Sequence, residues 1–256
     1  MSDMFREIDI DSTYTDLFFR DNIADSLPMA KYLVPKIAKM LGTKSVLDVG
    51  CATGHWLKCF SDIGADVYGL EGSMNTLNHL LIPRESVSIF DLRDKYATKH
   101  DVDLVLSIEV AEHIEPFFAG NYVDVLTMHD SKYIVMTAAP PGQGGTGHVN
   151  LQPKEYWVEK MGYKGYKRDS ELEDQIYQWC KEGRETQDAP HELKRLAVEG
   201  DGSRCAPGTV RFPVANWVSH DDAINADTSK IVQARFDNVW IPWWFPRNLM
   251  CFVKQD

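Results

Sequence analysis

No apolar run in the 256 residues approaches the roughly 18–20 needed to cross a bilayer, which argues against a membrane-spanning helix. Cysteine is sparse. Cys51, Cys59, Cys180, Cys205 and Cys251 are scattered, odd in number and form no CxxC, which disfavours a disulfide framework and a structural zinc site. Cationic residues are also in short supply, 27 Lys and Arg against 38 Asp and Glu, for a net charge of −11. Nucleic-acid binding draws much of its affinity from Lys and Arg neutralising phosphates, so this balance disfavours a DNA or RNA partner. The opening MSDMFREIDIDS lacks the basic start and apolar centre of a secretory signal, and a cytoplasmic protein is expected. Internal repeats and low-complexity tracts are absent. What is present is an ordinary globular mix, 44% hydrophobic and 25% charged.

Along the chain, an acidic and aromatic N-terminal arm (1–26) leads into LPMAKYLVPKIAKMLG. There Leu33, Ile37, Met40 and Leu41 recur at helical spacing, Gly42 suits a helix stop, and Pro35 predicts a kink or a late start. A strand–helix alternation follows. Strands are predicted at 45–50, 66–71, 86–90, 103–108 and 132–138, and helices at 54–64, 73–81 and 114–128. Near-continuous apolar strands separated by helices imply a parallel sheet covered on both faces. A Gly-rich loop, 140–153, is longer than most connections and is a functional candidate. PKEYWVEKMG reads as a helix and YKGYKRD as a strand. Residues 170–236 are polar and poorly periodic, with helical stretches near 171–183 and 190–199, and read as an insertion or lid within one domain spanning 1–256, behind an N-terminal arm and helix (1–42). The aromatic NVWIPWWFPRNLMCFVK ends as a strand.

The densest signal is Val46-Leu47-Asp48-Val49-Gly50-Cys51-Ala52-Thr53-Gly54 at the first strand-to-helix turn. Glycines there permit a sharp turn and close approach of backbone to a ligand. The spacing is D-x-G-x-x-x-G rather than the dinucleotide G-x-G-x-x-G. Glu71, at the end of the second strand, stands 21 positions beyond Gly50, where a carboxylate can accept from both ribose hydroxyls. With these residues the chain resembles the class I S-adenosylmethionine-dependent methyltransferases. LDVGCATG is similar to their first motif and YGLEGS to their second. IFDL resembles the adenine-contacting motif and LVLSIEVAEHI the fourth-strand motif. The resemblance covers roughly 40–165 and the final strand. It implies a Rossmann-like, doubly wound α/β sheet of seven strands, mostly parallel with the last antiparallel, and helices on both faces. By position it places Asp48, Gly50, Cys51 and Gly54 about the methionine moiety and Glu71 and Gly72 at the ribose. Asp91 and Leu92 fall at the adenine edge, and Ser107 and Glu109 beneath the sulfonium. Tyr14 or Arg20 of the arm is a further candidate to close over the cofactor.

Glu109-Val110-Ala111-Glu112-His113 follows the fourth strand. If it is helical, Glu109, Glu112 and His113 share one face; the plainer reading is that Glu112 favours a helix N-terminus and His113 packs locally. His148, in the Gly-rich loop after the fifth strand, is expected near the same sheet edge. Two carboxylates and two imidazoles suit a divalent ion such as Mg²⁺, Mn²⁺ or Fe²⁺, although His148 as a loop-stabilising residue stays open. The E-x-x-E-H…H set is similar to the metal site of small-RNA 3′-end 2′-O-methyltransferases and to the E-V-x-E-H motif of ubiquinone-pathway O-methyltransferases. Those resemblances imply a metal holding two neighbouring oxygens of a vicinal diol or catechol, with His148, Glu109 and His113 as the catalytic group; without a metal, His148 is the candidate base. AAPPGQGGTGHVNLQPKEYW resembles a glycan-associated group of methyltransferases, departing from it at Gly147, where those often carry a second His. Trp240, Trp243, Trp244 and Phe245 are pocket-wall or core candidates in equal measure, and Trp157 and Tyr156 core contacts.

These readings converge on O-methylation of a sugar or glycan hydroxyl. A catechol-like small molecule is the alternative acceptor. RNA 2′-O-methylation and a cofactor-binding module without catalysis are more distant ones.

Overall fold

A computed structural model describes residues 6, 8–95, 99–185, 209–212, 215–219, 241–242 and 244–255. Seven strands form one sheet: β1 (Ser45–Val49), β2 (Asp66–Glu71), β3 (Val87–Ile89), β4 (Leu104–Ser107), β5 (Tyr133–Thr137), β6 (Tyr166–Arg168) and β9 (Leu249–Lys254). Their spatial order is β3-β2-β1-β4-β5-β9-β6. The first five pair in parallel, and β9 runs antiparallel to both β5 and β6. This is the Rossmann-like sheet expected, with its closing strand reversed. A separate two-stranded pairing joins β7 (Thr209–Phe212) and β8 (Ala215–Ser219). Strand order reverses between β1 and β4, and in open α/β sheets such a switch opens a crevice beyond the carboxyl ends of the strands.

Alternation along the strands divides the core in two. Val46, Leu104, Leu106, Val135 and Cys251 pack with α2 (Asp16–Leu41), α3 (His55–Asp62) and α6 (Ser170–Glu185). Leu47, Val49, Val105, Ile134, Met136 and Phe252 pack on the other face, with α4 (Ala119–Thr127) and α5 (Lys154–Gly162). Helices therefore cover both faces, as predicted. Among the described residues no helix is long and apolar enough to cross a membrane.

Four local elements differ from expectation, each for an identifiable reason. Helix α2 begins at Asp16, well before Leu27, and runs through Pro28 and Pro35. An interior proline costs a helix about 3 kcal/mol. Full burial of Met29, Ala30, Leu33, Val34 and Ile37, with a Thr15 cap on the Phe18 N–H and Gly42 at φ +67, offsets it. Met40, read as part of the apolar face, is exposed instead. The second predicted helix is only a 3₁₀ segment, Met74–Asn78, because Asn75, Thr76 and Leu81 are tied to the arm and the first loop. The predicted 114–128 helix is split by Pro116: a 3₁₀ turn, Pro116–Phe118, precedes α4. The opening of the 170–236 stretch is a core helix: Leu172, Ile176 and Cys180 of α6 are buried, and Glu173 accepts the Cys251 N–H at 3.0 Å. Most of 186–240 lies outside the described residues, including Trp240, as does Trp243. Phe245, in α7 (Trp244–Asn248), is a core residue with its ring stacked 5.8 Å from Trp56. Trp157 is likewise buried, edge-on to Tyr122.

Candidate active site

The crevice begins at the turn after β1. Gly50 sits at φ +81, and its N–H and that of Cys51 both donate to the Leu70 carbonyl, at 2.8 and 2.9 Å. A Cβ on Gly50 would lie 2.5 Å from a Val110 methyl, and one on Gly54, at φ +73, 2.8 Å from Ile82. Both glycines are thus required by conformation and by space. Glu71 is buried at the end of β2. One of its oxygens accepts the Ala52 N–H and the other the Ser73 N–H, each at 2.9 Å. Burial raises its carboxyl, and these backbone bonds oppose the rise. Each oxygen keeps a lone pair, so the pair of acceptors fits a ribose diol. Asp48, buried behind it, is pushed up to about 7 by burial and by the Glu71 charge. Cys51 and Leu92 are buried, and Gly72 faces Ile10 of the arm. Ser107 turns inward: its hydroxyl donates to the Val49 carbonyl at 2.8 Å and lies 2.7 Å from the Tyr122 hydroxyl.

Asp91 is engaged by cations. Arg93 binds it through Nε and Nη2, at 2.9 and 2.8 Å, and Arg6 also pairs with it. Those neighbours outweigh burial and hold Asp91 below the usual carboxylate range. Arg93 continues to the Ile8 carbonyl (2.9 Å) and to Glu115 (3.1 Å), and the Arg6 guanidinium lies 5.6 Å from the Phe118 ring centroid. The arm then crosses the crevice. Asp11 accepts from the Ser73 hydroxyl and the Met74 N–H, both at 2.8 Å, and Tyr14 reaches His113 edge-on at 5.7 Å. The Tyr14 hydroxyl is buried with no hydrogen-bond partner, and burial with the Glu71 and Glu112 charges raises it. Of the two arm residues anticipated, Tyr14 is at the site; the Arg20 side chain lies outside the described ones.

Glu112, His113 and His148 each place a ligand-type atom within 4.8 Å of the others. They are not on one helical face. Glu109 has φ +54, and Ala111–His113 is a single 3₁₀ turn. The loop after β5 folds back instead: Val149 and Asn150 N–H both donate to the Glu112 carbonyl, at 2.9 and 3.0 Å. Glu112 is fully buried, and neither carboxylate oxygen has a hydrogen-bond partner. Burial, then the Glu109 charge, raise it well above the usual range. The Nδ1 atoms of His113 and His148 lie 3.2 and 3.1 Å from the Gly147 and Gln143 carbonyls. In a neutral ring that contact puts the proton on Nδ1 and the lone pair on Nε2, the arrangement typical of metal-ligating histidines. A buried carboxylate with no donor on either oxygen, beside two such rings, fits a divalent cation. Glu109 is adjacent but outside this group. Asn248 donates to one of its oxygens at 2.9 Å and Gln143 to the other at 3.0 Å.

Residues 26–119 match the model of the family described as "Methyltransferase domain". Over that stretch the chain is similar to methyltransferase domains. The sheet order above is a fold that methyltransferases share. Among solved structures, the sugar N-methyltransferase KedS8 from Streptoalloteichus sp. is 16% identical, with a TM-score of 0.50 over 60% of this chain and 85% of that one. That likeness is one of fold. The methyltransferase domain of a bacterial Hen1, CtHen1, is 21% identical over 56% of this chain and 89% of that one, TM-score 0.45. The magnesium protoporphyrin IX methyltransferase from Synechocystis, solved with bound SAH, is 16% identical over 65% and 83%, TM-score 0.44. No curated protein matches the sequence.

Gln143, Asn248, Arg93, Arg6 and Glu115 were not anticipated as site residues. Arg93 carried a faint signal, two positions after Asp91. Asn248 carried none, since it meets Glu109 across 139 positions of chain.

Proposed function

We propose that the domain transfers a methyl group from S-adenosylmethionine to a hydroxyl of a sugar or glycan, with a divalent cation, Mg²⁺ or Mn²⁺, held by Glu112, His113 and His148. The observation that carries this reading is the buried Glu112 carboxylate, unpartnered on both oxygens, within 4.8 Å of two imidazoles at the mouth of the crevice. The cofactor supplies an electrophilic methyl on a good leaving group, and the cation lowers the pKa of a hydroxyl that is otherwise a poor nucleophile.

The chain's own residues bind, orient and exclude water. Glu71 takes the ribose, and the Gly50–Gly54 turn keeps its backbone bare toward the cofactor. Asp48, Cys51, Gly72 and Leu92 line that side. Asp91, already paired with Arg93 and Arg6, acts chiefly by fastening the arm over the adenine end. Ser107 fixes the ends of β1 and β4 through the Val49 carbonyl rather than touching the cofactor. His113 and His148, held by main-chain carbonyls, present their Nε2 lone pairs to the cation and thereby set the acceptor's position. The sugar preference rests on the likeness of AAPPGQGGTGHVNLQPKEYW to the glycan-associated group and on the acidic balance of the chain.

The test is methyl transfer from labelled cofactor to free and nucleotide-linked sugars, catechols and short RNAs, each with EDTA and with added Mg²⁺ or Mn²⁺. Transfer to a sugar is the expected result. Transfer to catechols or RNA alone would reject the sugar assignment, and none to any acceptor despite cofactor binding would favour a non-catalytic module.

A further inference from the structure

Tyr14 touches both halves of the crevice. Its main-chain carbonyl accepts from Asn75 Nδ2 at 2.9 Å and from the Ser73 hydroxyl at 3.4 Å, and the Ser73 N–H in turn binds Glu71. Its ring lies against the other half. It meets His113 edge-on at 5.7 Å, and the His113 ring meets His148 edge-on at 4.9 Å, the geometry that ring quadrupoles favour. The turn at Gly147 completes the link. Its carbonyl takes His113 Nδ1 at 3.2 Å, and a Cβ there would lie 3.4 Å from that nitrogen, 3.0 Å from the Tyr14 hydroxyl and 3.3 Å from the Thr13 methyl. Thr13 and Tyr14 therefore back the same turn that orients His113. The arm that carries them is lightly held. From Ile8 to Phe18 no residue is fully buried, and the helical turn Ile10–Thr13 buries none of its own. It docks through polar contacts instead, Asp11 with Ser73 and Met74, and Asp16 with Asn78 and His79. Segments with exposed hydrogen bonds and few buried apolar contacts open at low cost.

We infer that Tyr14 is a positioning residue that couples the two halves of the crevice: the arm, docked over a bound cofactor, braces the Gly147 turn and His113, so cofactor and cation bind cooperatively. This rests on the reading of Glu71 as the ribose carboxylate and of Glu112, His113 and His148 as a cation group. The coupling needs no change beyond the position of the arm. With the arm undocked, the Gly147 turn loses Thr13 and Tyr14, His113 loses a ring neighbour, and the loop alone holds the ligand geometry. A ligand that favours the docked arm raises its population, and the second ligand then finds its site already set. Linkage makes the effect reciprocal, each ligand tightening the other by the same factor. A merely structural Tyr14 would change cation affinity equally with and without cofactor.

The experiment is calorimetric titration of Mn²⁺ into the full chain, with and without saturating S-adenosylhomocysteine, for the wild type, Tyr14→Phe, Tyr14→Ala and Asn75→Ala. The wild type is expected to bind Mn²⁺ about tenfold more tightly once S-adenosylhomocysteine is bound, within the usual range of such couplings. Tyr14→Phe keeps the ring and should keep that factor. Tyr14→Ala should bind Mn²⁺ equally with and without S-adenosylhomocysteine, at the weaker affinity. Asn75→Ala frees the Asp11 and Tyr14 carbonyls at the far end of the arm, so it should weaken Mn²⁺ binding in the cofactor-free protein and be restored by S-adenosylhomocysteine. It also serves should Tyr14→Ala disturb the fold. Wild-type Mn²⁺ affinity indifferent to S-adenosylhomocysteine, with both ligands bound, overturns the inference alone. So does a factor in Tyr14→Ala equal to the wild type's, or a loss in Tyr14→Phe as complete as in Tyr14→Ala. No Mn²⁺ uptake by the wild type overturns the cation reading, no S-adenosylhomocysteine binding overturns the cofactor reading, and either takes the inference with it.

Discussion

Gly145→Ala offers a nearly pure steric probe of the proposed cation group. Gly145 is exposed in the loop after β5 and is absent from the positive-φ positions, so its backbone accepts alanine. The new methyl, however, would fall 2.1 Å from His148 Nε2, 2.4 Å from Cε1 and 2.6 Å from Cδ2. An unstrained contact is roughly 3.5 Å, so the ring must retreat by about 1.4 Å. Metal–ligand distances tolerate about 0.2 Å, and a 1 Å misplacement can cost about 100-fold in rate. His148 is then lost as a ligand, and Mn²⁺ affinity should fall by about 10–100-fold, some 1.4–2.7 kcal/mol. Stability should move by no more than about 1 kcal/mol, since the loop position is exposed. Gly144→Ala is the matched control, for nothing lies within 4 Å of its Cβ. The assay is Mn²⁺ titration beside thermal unfolding of both variants. Equal Mn²⁺ binding by the two would refute the assignment of His148.

Gly50→Ala should cost about 2–5 kcal/mol in urea unfolding, combining left-handed strain with a 2.5 Å clash against Val110. Gly42→Ala, at φ +67 with no neighbour within 4 Å, should cost only the strain, about 1–2 kcal/mol; equal losses would contradict the packing of the turn. Asp48 gives a pH signature. Its folded pKa, about 7, lies above the unfolded value of 3.8, so its contribution is fully present below pH 4 and is lost as pH rises through 7. Asp48→Asn should therefore flatten the decline in urea midpoint between pH 4 and pH 8 in the cofactor-free protein, by an amount on the order of 4 kcal/mol. An unaltered slope would mean Asp48 is ordinary. Arg93→Met strips Asp91 and Glu115 of their shared cation. It should destabilise by about 3–5 kcal/mol and open the arm to proteolysis near Arg6; an arm as resistant as in the wild type would discount the latch.

The parts legible in the sequence were those governed by local spacing. Near-continuous apolar strands separated by helices, the Asp48–Gly54 turn and Glu71 at the end of β2 follow from local pattern and chain distance, and each is found in its predicted place. Glu112, His113 and His148 do meet, though by a 3₁₀ turn and a folded-back loop rather than along a helix. Helix α2 was shortened in the reading because its prolines are a local penalty, whereas the burial that overrides them is tertiary. The same limit hid Asn248, 139 positions from Glu109, and the Arg6–Asp91 and Arg93–Glu115 pairs, 85 and 22 positions apart.

The most direct test of the account is the time course of labelled methyl transfer to a nucleotide-linked sugar by wild type and Glu112→Gln, each treated with EDTA and then resupplied with Mn²⁺. The account predicts wild-type transfer that EDTA abolishes and Mn²⁺ restores, and a Glu112→Gln variant that Mn²⁺ fails to rescue. Transfer indifferent to EDTA, with Glu112→Gln as active as the wild type, would contradict it.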